Sequence, residues 1–187
     1  MKLTIKDMIL VSIFSALMVI GAFIRIPFPL LPITLQPFFC ALAGILLGAR
    51  LGLVSQLVYI ALGMTGLPVF AQGGGISYVV NPSFGFIIGF AASAFVMGRI
   101  MEIRKTTGLK NIMIALISGL FTIYAIGISY MYIILSFYAK KPGITAGYVL
   151  ATNFPYFIKD LVLYVIIAIS VVSAIPSIKK AGLPGVR

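Results

Sequence analysis

From Leu51 to Gly98 the chain carries no charged side chain. No single helix accounts for that stretch, because about 20 apolar residues already cross the roughly 30 Å hydrocarbon core of a bilayer. It must therefore be divided, and the breaks are visible at Gly66-Leu-Pro68, Gly73-Gly74-Gly75 and Asn81-Pro82, where glycine and proline punctuate an apolar pattern. The rest of the chain is similar in character. Of 187 residues, 61% are hydrophobic and 9% charged, against about 25% charged in a soluble domain. These features predict an all-α, polytopic membrane protein forming a single transmembrane domain over residues 1–187.

Six transmembrane helices are expected. Helix 1 runs from Asp7 to Ile24 and stops before Arg25-Ile-Pro27-Phe-Pro29-Leu-Leu-Pro32, whose prolines remove donors and fix the backbone. Helix 2 covers Gln36 to Gly48, and Gly48-Ala-Arg50 turns it into helix 3, Leu51 to Met64. Both are short for a full span. Helix 4 runs from Ser83 to Glu102, helix 5 from Asn111 to Tyr138, and helix 6 from Asn153 to Ile175, after the break at Lys140-Lys141-Pro142-Gly143. The N-terminal segment resembles a secretory signal in outline; because the later segments are equally apolar, it reads as a first span that also directs insertion.

The formal net charge is +11, yet no soluble scaffold is present to display a nucleic-acid-binding face. The bases instead collect at helix ends. With six spans, Lys2, Lys6, Arg50, Arg99, Arg104, Lys105, Lys110, Lys179, Lys180 and Arg187 share one side, and Arg25, Lys140 and Lys141 lie on the other. The positive-inside bias then places both termini in the cytoplasm. The one cysteine, Cys40, sits in an apolar run and forms no internal disulfide.

Two regions carry candidate binding chemistry. The uncharged loop 65–81 faces outward, and irregular backbone at membrane depth is tolerated where protein buries it or where it lines a cavity. Its glycines, Gly74 and Gly75 among them, permit close backbone approach to a ligand; a plain loop is the alternative. On helix 6, Asn153, Tyr156, Asp160 and Tyr164 recur on one face. A carboxylate within a span costs about 2.5–3.5 kcal/mol on insertion scales, so Asp160 is expected to face the bundle interior. Lys159 projects about a quarter-turn away and is free to snorkel outward. Ser118, Thr122, Ala125, Ser129, Tyr132 and Ser136 on helix 5, with Gly85, Gly89 and Ser93 on helix 4, read as close-packing stripes.

The segments Leu31-Pro-Ile-Thr-Leu-Gln36, Leu42-Ala-Gly-Ile-Leu-Leu-Gly48-Ala-Arg50-Leu-Gly52, Leu57-Val-Tyr59-Ile-Ala-Leu-Gly63-Met-Thr-Gly66-Leu-Pro68-Val-Phe70, Gly73-Gly-Gly75 and Asn81-Pro-Ser-Phe-Gly85-Phe-Ile-Ile-Gly89-Phe together resemble the BioY family of biotin transport subunits. The resemblance implies a six-helix S component of an energy-coupling-factor (ECF) transporter, binding biotin near the outer surface. The implied partners are a transmembrane coupling subunit and two cytoplasmic ATPase subunits. The family's small-residue docking motif on helix 1 falls at Ser12 and Ala16. Asp160 takes the place of a ligand-binding acid and is expected to accept the ureido hydrogens. Asn81 can donate and accept, while Tyr78, Tyr156 and Tyr164 supply walls or hydroxyls. Arg25, Lys140 or Lys159 meets the ligand carboxylate. Two family positions depart: Leu163 stands where a lysine is frequent, and Ile87 where some members have an arginine.

Other classes fit less well. Without histidine, and with Asp7, Glu102 and Asp160 as its three acids, the chain offers no evident triad, carboxylate pair or metal set. It has no P-loop sequence. No enzyme activity, cofactor or metal is expected, and energy from ATP would come from a partner. The alternatives are a solitary secondary biotin transporter, which would more often show internal repeats, and an S component for another small vitamin.

Overall fold

The computed structural model describes residues 3–28, 31–105, 107–140 and 142–181, with side chains described to residue 175. Of the bases used to orient the chain, Lys2, Lys141 and Arg187 lie outside the described residues, as do the side chains of Lys179 and Lys180. The chain is mostly helical, and among the described residues five helices are long and apolar enough to cross a membrane. These are α1 (Ile5–Phe23), α2 (Gln36–Met64), α3 (Phe84–Arg104), α4 (Leu109–Ile133) and α5 (Ala146–Ala181). It is a multi-pass membrane protein.

The expected count of six differs from these five because the helices predicted over 36–48 and 51–64 form one element, α2, broken at Gly48. Gly48 has φ 81° and ψ 178°, a conformation open to glycine and strained for any residue with a Cβ. The break reverses the chain. Gln36 Nε2 donates to the Tyr59 hydroxyl at 2.8 Å, whereas a straight helix would hold residues so spaced about 35 Å apart. The two arms of α2 therefore lie side by side as a helical hairpin. Glu102 of α3 clasps its tip, accepting from the Ala49 N–H at 2.9 Å, where the second arm begins with unpaired amides.

α3 packs along both the α2 hairpin and α4, and small residues set the spacing. A Cβ on Gly44 would lie 2.9 Å from the Ala94 carbonyl oxygen, and one on Gly89 would lie 3.0 Å from that of Ile123. Ser93 Oγ donates to the Gly119 carbonyl at 2.9 Å. The helix 4 stripe is thus a packing surface. The helix 5 stripe is not one throughout: Ala125 and Ser129 are exposed and line an open groove between α4 and α5. α1 leans on the second arm of α2 through Ser15, whose hydroxyl donates to the Ser55 carbonyl at 2.7 Å.

Two connections shape one end of the bundle. Arg25–Ile26 and Ile33–Thr34 pair antiparallel, forming a strap between α1 and α2. Residues 65–81 fold back on the end of α2, where the Gly75 N–H donates to Gly63 O at 2.7 Å, and close with the 3₁₀ turn Ile76–Val80. α5 starts earlier than Asn153, at Ala146, because Thr145 Oγ1 accepts from the Tyr148 N–H at 3.1 Å and caps it. Pro155 therefore lies inside the helix.

Candidate binding cavity

Beneath the strap lies a cavity of about 70 Å³ walled by the strap itself, α2, α3, α4 and α5. Its polar focus is on α5. Asp160 is 4% exposed. Its Oδ2 accepts from the Tyr124 hydroxyl at 2.8 Å, and its Oδ1 forms an ion pair with the ammonium of Lys159. Lys159 Nζ also donates to the Thr34 carbonyl of the strap at 3.2 Å. Lys159 thus folds inward and lines the cavity, correcting the outward projection inferred from its position beside Asp160. A lysine stem of four carbons reaches well beyond the direction set by its Cα.

Tyr156, one turn before Asp160, holds the strap from below. Its hydroxyl donates to the Leu31 carbonyl at 2.7 Å and accepts from the Leu31 N–H at 3.3 Å, and Phe28 packs edge-on against its ring. Gln36 braces the strap's other end: its Oε1 accepts from Thr34 Oγ1 at 3.3 Å. Tyr59 continues this network to the next loop, donating to the Val69 carbonyl at 3.2 Å. On the far wall, the Tyr78 and Ser83 hydroxyls share a hydrogen bond at 2.8 Å. Burial pushes the Tyr78 phenol above its ordinary pKa, against the opposing effects of the Ser83 hydrogen bond and the Arg25 charge. At neutral pH it stays protonated and available as a donor. Phe86, Ile87, Phe90 and Ile123 complete an apolar floor.

Of the residues singled out from sequence, Asp160, Lys159, Tyr156 and Tyr78 line this cavity together. Asn81 stands one layer behind: its Oδ1 accepts from the Ser83 N–H and hydroxyl at 2.9 and 2.8 Å, positioning a wall residue. Tyr164 is fully buried below Asp160 and does not line the cavity. Gly74 and Gly75 also lie apart from it. A Cβ on Gly74 would press into the Leu67 backbone, and Gly75 has φ 95° at the start of the 3₁₀ turn. In this structure the glycine run lets backbone meet backbone. Arg25 and Lys140 are exposed and outside the lining. Ser12 and Ala16 are exposed on α1, one turn apart on a common face. Leu163 is half-buried and off the cavity, whereas Ile87 lines it.

Sequence reasoning missed Tyr124, Gln36, Thr34 and Ser83. Tyr124 lies beside the small-residue stripe of α4 rather than in it, so attention to the stripe passed over it. Its signal was its place next to Ile123 on the face that continues through Leu116, Leu120 and Met131, all buried.

The chain matches the BioY family over residues 1–180. It is similar to the probable biotin transporter BioY of Lysinibacillus sphaericus, with 49% identity over 130 residues, covering 70% of this chain and 66% of that protein. It is also similar to the biotin transporter BioY of Thermotoga maritima, with 36% identity over 167 residues, covering 88% of this chain and 92% of that one. Among solved structures it resembles the S-component for biotin from an ECF-type ABC transporter, with a TM-score of 0.77 and 23% identity, over 92% of this chain and 94% of the other. At that identity the likeness establishes the fold.

Proposed function

This chain belongs to the BioY family, and from that premise we propose that it is the biotin-binding S component of an ECF-type transporter. It has no catalytic role of its own. It captures biotin in the cavity beneath the strap and passes it inward with a transmembrane coupling subunit and two cytoplasmic ATPase subunits. The observation that carries the binding site is the buried carboxylate of Asp160, held among tyrosines in an otherwise apolar cavity. Biotin offers ureido N–H donors, an apolar bicyclic body and a carboxylate, which call for an acceptor, ring walls and a cation. Asp160 is the acceptor, Tyr78 and Tyr156 are the walls, and Asn81 steadies Ser83. Tyr164 supports Asp160 from below, while Gly74 and Gly75 shape the adjoining loop.

Of the three cations considered for the carboxylate, Lys159 is the best supported, because it lines the cavity and Arg25 and Lys140 do not. Its ammonium bridges Asp160 and the strap. Ureido donors arriving at Asp160 release it to the ligand carboxylate. The strap lies over this cavity, held by Tyr156 and Lys159, and it gives way as biotin enters.

Both termini face the cytoplasm, the two arms of α2 count as separate passes to make six, and the cavity opens outward. The coupling subunit docks on the exposed α1 face at Ser12 and Ala16, where small side chains allow close helix approach.

Titration of the purified full chain with biotin is expected to show tight one-site binding; absence of binding contradicts the proposal. Lys159→Met is expected to weaken biotin about tenfold or more, the worth of a charge-assisted hydrogen bond, yet to leave biotin methyl ester within about twofold of its wild-type affinity. An equal loss for both ligands would remove Lys159 from the carboxylate role.

A further inference from the structure

Among the described residues, five buried side-chain atoms lack a hydrogen-bond partner: Gln56 Oε1, Ser136 Oγ, Asn153 Oδ1, Asp160 Oδ1 and Tyr164 Oη. Gln56, Ser136 and Tyr164 do not line the cavity; Asn153 and Asp160 do. Asp160 Oδ1 already has the ammonium of Lys159 against it. That leaves the carbonyl of Asn153 as the one unanswered acceptor on a cavity-lining residue, and Asn153 is 1% exposed.

The orientation of this amide follows from its neighbours. Nδ2 donates to the Val149 carbonyl at 2.8 Å and lies 3.4 Å from Met131 Sδ. A flipped amide would set two carbonyl oxygens against each other, so the free end is the oxygen. Asn153 also borders the groove between α4 and α5, where Phe121, Phe154 and Phe157 offer no donor and Ser129 does not bond it. No side chain of the groove answers Oδ1, and the cavity is the side from which a ligand donor can reach it.

We propose that Asn153 is a second acceptor of the binding site, its Oδ1 taking one ring N–H of a cyclic urea whose other N–H goes to Asp160. This rests on the biotin reading above and makes it more specific. The two N–H groups of a cyclic urea diverge on either side of its carbonyl, so one carboxylate cannot align well with both. Asn153 and Asp160 lie on one face of α5, roughly 10.5 Å apart along the axis. That span accommodates a small ring with a hydrogen bond of about 2.9 Å at each side, once the side chains lean toward it. The pair selects for a ligand with two ring donors.

The test compares ligands as well as variants. Purified wild-type chain and Asn153→Leu are titrated with biotin and with its two ureido N-monomethyl derivatives; Asn153→Ala serves if the leucine variant does not fold. Asn153→Leu is expected to weaken biotin about tenfold. For one of the methylated ligands, already weak on wild type, the substitution is expected to change affinity less than twofold. Equal losses for all three ligands, or no loss for biotin, would overturn the role of Asn153 while leaving the biotin reading intact. Failure of wild type to bind biotin at all would overturn both.

Discussion

Asp160→Asn is expected to weaken biotin binding by about tenfold to a hundredfold, measured by titration calorimetry on protein in detergent. The substitution is nearly isosteric, so the cavity keeps its shape. A hydrogen bond to a charged acceptor contributes roughly 1.5–3 kcal/mol, which corresponds to that range of affinity. Three contacts change together. The Tyr124 hydroxyl loses a charged acceptor, Lys159 loses its counter-ion, and an arriving N–H faces an amide that presents donors on one side. Removing the charge also weakens the fold, because Lys159, 32% exposed, then keeps the Thr34 carbonyl of the strap and water as its partners. Affinity must accordingly be measured on the fraction shown to be folded. An affinity within twofold of wild type would mean that Asp160 is a structural member of the α4–α5 contact and nothing more.

Gly98→Val is expected to have the largest effect on stability. A Cβ at this position would stand 2.6 Å from Ala49 Cα and closer still to the peptide joining Gly48 to Ala49. The obstruction is backbone, and that backbone already occupies a conformation requiring glycine at Gly48. No side chain can rotate away, so α3 must withdraw from the hairpin and the Glu102 clasp on the Ala49 N–H must break. Overpacking generally costs about 1–3 kcal/mol, occasionally more, and the upper end applies here. Against a total stability of about 5–15 kcal/mol, this lowers the melting temperature by many degrees. Circular dichroism can follow it, since the chain has no tryptophan for fluorescence. An unchanged melting temperature would show that α3 and the α2 tip separate at little cost.

Much of the fold was legible because lipid imposes a simple rule: spans are long and apolar, and their ends are marked by charge, glycine or proline. α1 and α3 begin and end within about two residues of the readings from sequence, α4 begins two residues early and passes after Ile133 into a π-helical turn over Ile134–Tyr138, and the turn at Gly48-Ala-Arg50 is where the hairpin reverses. Composition could not decide whether two short apolar arms count as one helix or two, because that depends on the backbone of one glycine. The start of α5 was placed at Asn153, seven residues late, because the polar face picked out there begins inside the helix, whereas the cap is at Thr145.

The site was half legible, for a comparable reason. Helical spacing reveals a shared face, and so Asn153, Tyr156, Asp160 and Tyr164 were grouped correctly as one buried row. Spacing does not reveal depth, and Tyr164 falls below the cavity while Tyr156 reaches the strap. Nor does it follow a flexible stem: Lys159 leaves the helix on another side and still returns to Asp160. Glycine in a loop is equally ambiguous. At Gly74 the close neighbour is the chain's own backbone.

A structure of the full chain determined with biotin is expected to show the ligand beneath the Arg25–Thr34 strap, with a ring N–H within hydrogen-bond distance of Asp160, the carboxylate on Lys159, and the strap shifted from Tyr156. Biotin seated in the α4–α5 groove, or a cavity still closed by the Lys159–Asp160 pair at saturating ligand, would contradict this placement.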